Sequence, residues 1–121
     1  MYEMTGGNKM DCLFCKIIAG EIPSGKVYED EKCYAFLDIA PQAKTHILLV
    51  PKKHIASLAD AQGEDAALLG HLMLTCAKIA AQQGLGDGFR VVTNIGENGC
   101  QSVKHLHLHI LGGEKLSEKM S

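Results

Sequence analysis

Residues 105–109 read His-Leu-His-Leu-His, which puts three of the chain's six histidines in five positions. Extended backbone turns successive side chains to opposite faces, so His105, His107 and His109 would share one face and Leu106, Leu108 and Ile110 the other. A helix would scatter the same imidazoles around its circumference. The pattern predicts a strand over Val103–Leu111, buried on its leucine side and carrying a row of imidazoles on the other. Three adjacent imidazoles cannot all be protonated cheaply, and each ring needs hydrogen-bond partners. The row suits a metal site or phosphate chemistry better than packing.

The rest of the chain reads as a frame for that strand. Asp11–Ala19 reads as a short helix with Asp11 as its cap and Gly20 at its end. Val27–Glu29, Cys33–Ile39, His46–Val50 and Phe89–Asn94 read as strands, with Asp30–Lys32 a turn and Pro41 and Pro51 as breakers. Glu64–Gln83 is the one long helix, with Leu68, Leu72, Cys76 and Ile79 near one face and Gly84 at its C-cap. The predicted architecture is α+β: an antiparallel five-stranded sheet, a short N-terminal helix and one long helix, with the helices on one side of the sheet. Residues 1–10 read as a loose polar arm and 11–121 as a single domain.

Composition narrows the function classes. With 46% hydrophobic residues, 21% charged and a net charge of −2, the chain has neither the basic footprint of a nucleic-acid binder nor the signature of disorder. No apolar run approaches the roughly 20 residues of a membrane span, and Met1–Met10 does not resemble a signal peptide. The five cysteines, an odd number, point to reduced thiols in a cytoplasm. Cys33 and Cys76 lie in apolar patterns and read as core. His71, on the long helix, reads as a surface or boundary residue.

Ahead of the histidines, Asn94, Gly96, Gly99, Gln101 and Ser102 lie in one loop. Glycines let backbone N–H groups approach an anion, and Gln101 and Ser102 add donors, so the loop can cradle a phosphate. Taken alone, it reads rather as a hairpin loop whose glycines serve turn geometry; beside the three imidazoles, the phosphate reading is favoured. A neutral imidazole attacks phosphorus well near pH 7 and leaves again, which suits a phospho-histidine intermediate.

His105-Leu-His-Leu-His-Ile-Leu111 resembles the histidine triad (HIT) pattern, His-φ-His-φ-His-φ-φ with φ apolar. Gly99–Val103, Phe36–Ala43 and Thr45–Ile55 resemble further blocks of that family in the same order, and the likeness runs from about residue 11 to 113. The chain is most similar to the Hint branch, nucleoside phosphoramidases that cleave P–N bonds of nucleoside 5′-monophosphate conjugates. The resemblance implies a cytoplasmic homodimer that binds a purine nucleoside monophosphate or its conjugates. It makes His107 the nucleophile, with its second ring nitrogen held by a backbone carbonyl. His109 and His46 would flank the phosphate and move protons, and His105 would support the triad from behind. Asp38 would hold the ribose hydroxyls. Asn94, Gln101 and Ser102 would contact ribose or phosphate. Phe14, Ile17, Ile22, Phe36, Ile39 and Leu48 would line the base slot, though Phe36 and Leu48 read equally as core.

No cofactor for catalysis is implied, but some triad proteins hold a structural zinc through a Cys-x-x-Cys pair and two histidines. Those positions here are Cys12, Cys15, His54 and His105. The chain departs from the family at Cys100, where a glycine is common, at Lys104, and in a tail without a Trp-Pro-Pro-Gly-like ending. A nucleotide-binding regulatory module with little turnover, and a protein whose triad itself chelates metal, remain as rivals at this level.

Overall fold

A computed structural model of the chain describes residues 12–119. The predicted arm over residues 1–10 and the capping role of Asp11 lie outside the described residues. Five strands form one antiparallel sheet, β1 (Lys26–Glu29), β2 (Cys33–Leu37), β3 (Thr45–Pro51), β4 (Phe89–Val92) and β5 (Leu108–Gly112), in the order β1-β2-β3-β5-β4. A short helix α1 (Leu13–Ile18) precedes them, and the long helix α2 (Ala66–Gln82) joins β3 to β4. The expected α+β architecture is therefore present.

The helices do not share one side. On β2 and β3 both alternating sets of side chains are apolar, so both faces need cover. Cys33, Ala35, Ile47 and Leu49 meet Leu72, Cys76 and Ile79 of α2, while Tyr34, Phe36, Leu48 and Val50 meet Cys12, Phe14 and Ile17 around α1. This corrects the one-sided expectation and sets α1 on the face that carries the imidazoles.

The long helix begins later than the pattern suggests, because Gly63–Asp65 form a 3₁₀ turn in which the Asp65 carboxylate accepts the Gln62 N–H at 2.8 Å. It ends as expected. Gly84 adopts φ +75, and the N–H groups of Gly84 and Leu85 donate to the carbonyls of Ala81 and Ala80. His71 does more than sit at the surface: its Nε2 donates to Asp30 Oδ2 at 2.8 Å, tying α2 to the β1–β2 turn.

The histidine strand is shorter than its alternation predicts. Pairing of β5 with β3 runs only from Gly112 to Leu108, and residues 103–107 leave the ladder. There the Leu106 N–H donates to the Ile55 carbonyl beyond the end of β3. The alternation of faces nevertheless persists through the irregular segment. Leu106, Leu108 and Ile110 enter the α2-side core, and the rings of His105 and His107 pack against Phe14.

Candidate active site

Each imidazole near residues 105–109 has a tautomer dictated by its partners. A carbonyl oxygen can only accept, so a ring nitrogen facing one carries the proton. His107 Nδ1 lies 2.7 Å from the His105 carbonyl and donates to it. Its Nε2 is thereby left with a lone pair, the form required of a nucleophile. Thr93 Oγ1 donates to the His107 carbonyl at 2.8 Å and fixes the backbone there, a bracing role that no sequence pattern announced.

The adjoining pair is ordered in the same way. The Gln42 N–H donates to His46 Nδ1 at 2.9 Å, so His46 carries its proton on Nε2. That proton goes to His109 Nδ1 at 2.9 Å, with Asp38 Oδ2 3.4 Å from the same His46 nitrogen. His109 Nε2 is then the protonated nitrogen, and the His107 and His109 rings lie with centroids 5.1 Å apart. A ring with an Nε2 lone pair and a ring with an Nε2 proton therefore stand side by side. The positioning of His46 by a backbone N–H was invisible in the sequence, because any residue at position 42 could supply it.

Burial keeps these rings neutral. It pushes His109 down to about 4, helped by the neighbouring His107 and His46 and opposed by Asp38. His107 and His46 are also lowered, first by burial; the His105 carbonyl and Asp38 counter this at His107, and Asp38 does so at His46.

Most predicted site residues converge. Phe14, Ile17, Phe36 and Leu48 form one buried apolar cluster with Ile22 packed at its margin. The Phe14 ring stands edge-on to Phe36 at 5.5 Å and to His107 at 5.1 Å. Asp38 follows the end of β2 rather than lying within it; its N–H donates to the His46 carbonyl, and its Oδ1 accepts the Ala40 N–H at 2.8 Å. Ile39 is fully exposed, outside the apolar cluster. Asn94 lines a cavity of about 400 Å³ together with His46, His109, Arg90 and Leu116.

The loop before the triad is tightly wound. A Cβ on Gly99 would collide with the Ile95 carbonyl oxygen, so only glycine fits there. Cys100 has φ +62, a left-handed conformation that accounts for glycine's advantage at this position. Ser102 is exposed, three residues before His105 in the chain. Gln101 braces the loop. Its Oε1 accepts the Gly96 N–H at 2.9 Å, and its Nε2 donates to the carbonyls of Ala56 at 2.7 Å and Val103 at 2.9 Å.

His105 turns away from His107. Its Nε2 donates to the Pro51 carbonyl at 2.8 Å, leaving the Nδ1 lone pair 3.3 Å from Cys12 Sγ and 3.5 Å from Cys15 Sγ. His54 Nδ1 lies 3.2 Å from Cys15 Sγ. The four donor atoms of Cys12, Cys15, His54 and His105 all lie within 4.8 Å of one another. In a tetrahedral zinc site, bond lengths of about 2.3 Å to sulfur and 2.0 Å to nitrogen put S and N about 3.5 Å apart. The donor set and its spacing fit that ion. Burial, partly offset by the Pro51 carbonyl, pushes His105 down to about 4, which keeps its nitrogen available.

Among the described residues, no helix is long and apolar enough to cross a membrane. The family profile described as HIT domain matches residues 19–116. An uncharacterized HIT-like protein of Synechococcus elongatus is 56% identical over 107 residues, 88% of this chain and 94% of the relative. The crystal structure of a HIT family hydrolase from Legionella pneumophila is 47% identical, with a TM-score of 0.86 over 88% of this chain and 96% of that one. A histidine triad nucleotide-binding protein from Candida albicans is 34% identical, with a TM-score of 0.75 over 91% of this chain and 86% of that one.

Proposed function

The chain belongs to the HIT family, and from that premise and the order of its imidazoles we propose that it is a nucleotide hydrolase that cleaves nucleoside 5′-phosphoramidates, or related nucleoside 5′-monophosphate conjugates, through a nucleotidyl-histidine. One observation carries the reading. The His105 carbonyl holds the His107 proton on Nδ1, so the Nε2 lone pair stands beside a ring that can donate a proton. Nucleotide binding is supported by the name of the Candida relative and hydrolysis by that of the Legionella one.

In this mechanism the base sits against Phe14, Phe36 and Leu48, with Ile39 at the rim, Asp38 accepts the ribose hydroxyls, and Ser102 with loop N–H groups holds the phosphate oxygens. Bound anionic phosphate raises the proton affinity of the His109–His46 pair, which takes up a proton. His107 Nε2 attacks phosphorus, the P–N bond breaks, and the pair gives its proton to the departing amine. Water then attacks phosphorus, the bond to His107 breaks, and the water proton returns to the pair. Single-turnover hydrolysis of adenosine 5′-phosphoramidate tests the reading. Wild type should release AMP, and His107→Ala should lose at least about a thousandfold in rate. Retained turnover in that variant would remove the proposal.

A structural zinc on Cys12, Cys15, His54 and His105 belongs to the same reading, supported by the spacing of the four donors. Bound there, zinc would tie α1 to the triad segment and take no part in the reaction. The partner is a second copy of the chain. The outer edge of β4, paired by no strand among the described residues, and the exposed apolar side chains of Met73, Leu74 and Phe89 support it.

A further inference from the structure

His105 belongs to two arrangements at once. Its ring faces the sulfurs of Cys12 and Cys15, and its carbonyl sets the tautomer of His107. Phe14 makes the same connection from the other side. It lies between the two cysteines on α1, stands edge-on to His105 at 6.0 Å and to His107 at 5.1 Å, and packs on Phe36. The helix that carries it is only six residues long. So short a helix has no stability of its own and takes its position from what it is fastened to. Its fastenings are the apolar cluster through Phe14 and Ile17, and the two sulfurs that face His105 and His54.

We infer that the four-donor centre controls the nucleotide site, so that a zinc ion there and a nucleotide beside Phe14 strengthen each other's binding. The inference rests on the proposed function, since it needs both a nucleotide site and a zinc site. Zinc joined to Cys12 and Cys15 on one side and to His54 and His105 on the other fixes α1 against the triad. Phe14 then stays against His107, and the slot exists before the nucleotide arrives. Without the ion, α1 is held by its apolar contacts and by the weaker thiol–imidazole contacts of Cys12 and Cys15 in place of metal bonds, and nucleotide binding must do more of the work of ordering Phe14. The nucleotide therefore binds more weakly, and by reciprocity zinc binds more weakly when the slot is empty. Phe14 is the positioning residue that carries the coupling.

The test uses the full chain, with zinc and AMP as the probes. Zinc content and calorimetric AMP binding are measured first on zinc-loaded protein. One zinc per chain with measurable AMP binding supports the proposed function; absence of AMP binding overturns both that reading and this one, and absence of zinc overturns the structural zinc and this inference while leaving the hydrolysis to its own assay. AMP affinity is then measured before and after chelation, and zinc affinity by competition with a chromophoric chelator with and without AMP. The expected result is a matching factor of about tenfold in both directions. Two affinities that do not respond to each other overturn this inference alone.

Fluorophenylalanine labelling gives three resonances, from Phe14, Phe36 and Phe89. Chelation should move Phe14 and Phe36 and leave Phe89, on β4, in place. Collapse of all three would mean that the ion holds the whole fold, and would also overturn local control. Phe14→Leu should keep one zinc per chain and bring the coupling factor close to one. If the tenfold factor persists in that variant, the route through Phe14 is wrong.

Discussion

Replacing Gln101 with alanine should destabilise the protein rather than simply remove a ligand contact. The side chain makes three hydrogen bonds, from the Gly96 N–H and to the carbonyls of Ala56 and Val103. Truncation leaves the Gly96 N–H and the Ala56 carbonyl without this partner, at about 1 kcal/mol each, while the Val103 carbonyl keeps the His105 N–H at 2.9 Å. Water reaches part of this loop, so the expected loss is about 1–2 kcal/mol. In urea, with a slope of about 1.5 kcal/mol per molar, the unfolding midpoint should fall by about 1 M. Gln101→Glu is the informative partner variant. It keeps an acceptor for Gly96 but points a carboxylate oxygen at two carbonyls, so it should lose at least as much stability at pH 7 and recover part of it in acid. If both variants unfold within about 0.5 kcal/mol of wild type while AMP affinity drops, the amide is a ligand contact and the bracing argument is wrong.

Cys100→Gly should stabilise the fold by about 0.5–1 kcal/mol, because a left-handed residue at φ +62 carries strain that glycine lacks, partly offset by glycine's freedom in the unfolded chain. Thermal unfolding reads this as a rise of about 2–4 °C, with Cys100→Ala unchanged as the control. For pH, His109 is held down to about 4, first by burial. An imidazole whose folded value lies below its unfolded value of about 6.5 leaves the unfolded chain binding more protons between those limits, so stability falls as pH drops from about 6.5 to 4. Because the His109–His46 pair must take up a proton before the P–N bond breaks, kcat/KM should rise as pH falls from about 8 through 5 and approach its ceiling only near 4; a break near 6.5 would show unshifted rings. Cys15→Ser should lose stoichiometric zinc, measured by elemental analysis, and retention of the ion would place it elsewhere.

The alternation at 105–109 was enough to put Leu106, Leu108 and Ile110 in the core and the imidazoles opposite them, and it held even where the strand does not. The strand's limit was not legible, because it depends on where β3 ends at Pro51 and on the Ile55 carbonyl that takes the Leu106 N–H. The two-sided cover of the sheet was readable in principle from the apolar pairs Cys33/Tyr34 and Leu48/Leu49, which face opposite ways. Side chains that act through their own chemistry, such as His107 or the Cys12–Cys15 pair, announce themselves by type and spacing. Groups that act through the backbone, such as the Gln42 N–H on His46 or the Pro51 carbonyl on His105, carry no residue signature and appear only once the chain is folded. Gln101 falls between the two: its type suggested a ligand contact, and its backbone partners on Gly96, Ala56 and Val103 carried no signal in the sequence.

The central claim is that His107 Nε2 takes the nucleotidyl group. Acid-free rapid quench of wild-type protein with adenosine 5′-phosphoramidate, followed by intact-mass analysis and peptide mapping, tests it most directly. The account predicts an acid-labile AMP adduct on His107 that forms and decays at rates compatible with turnover and is absent from His107→Ala. Turnover without any adduct, or an adduct on His105 or His109, would contradict it.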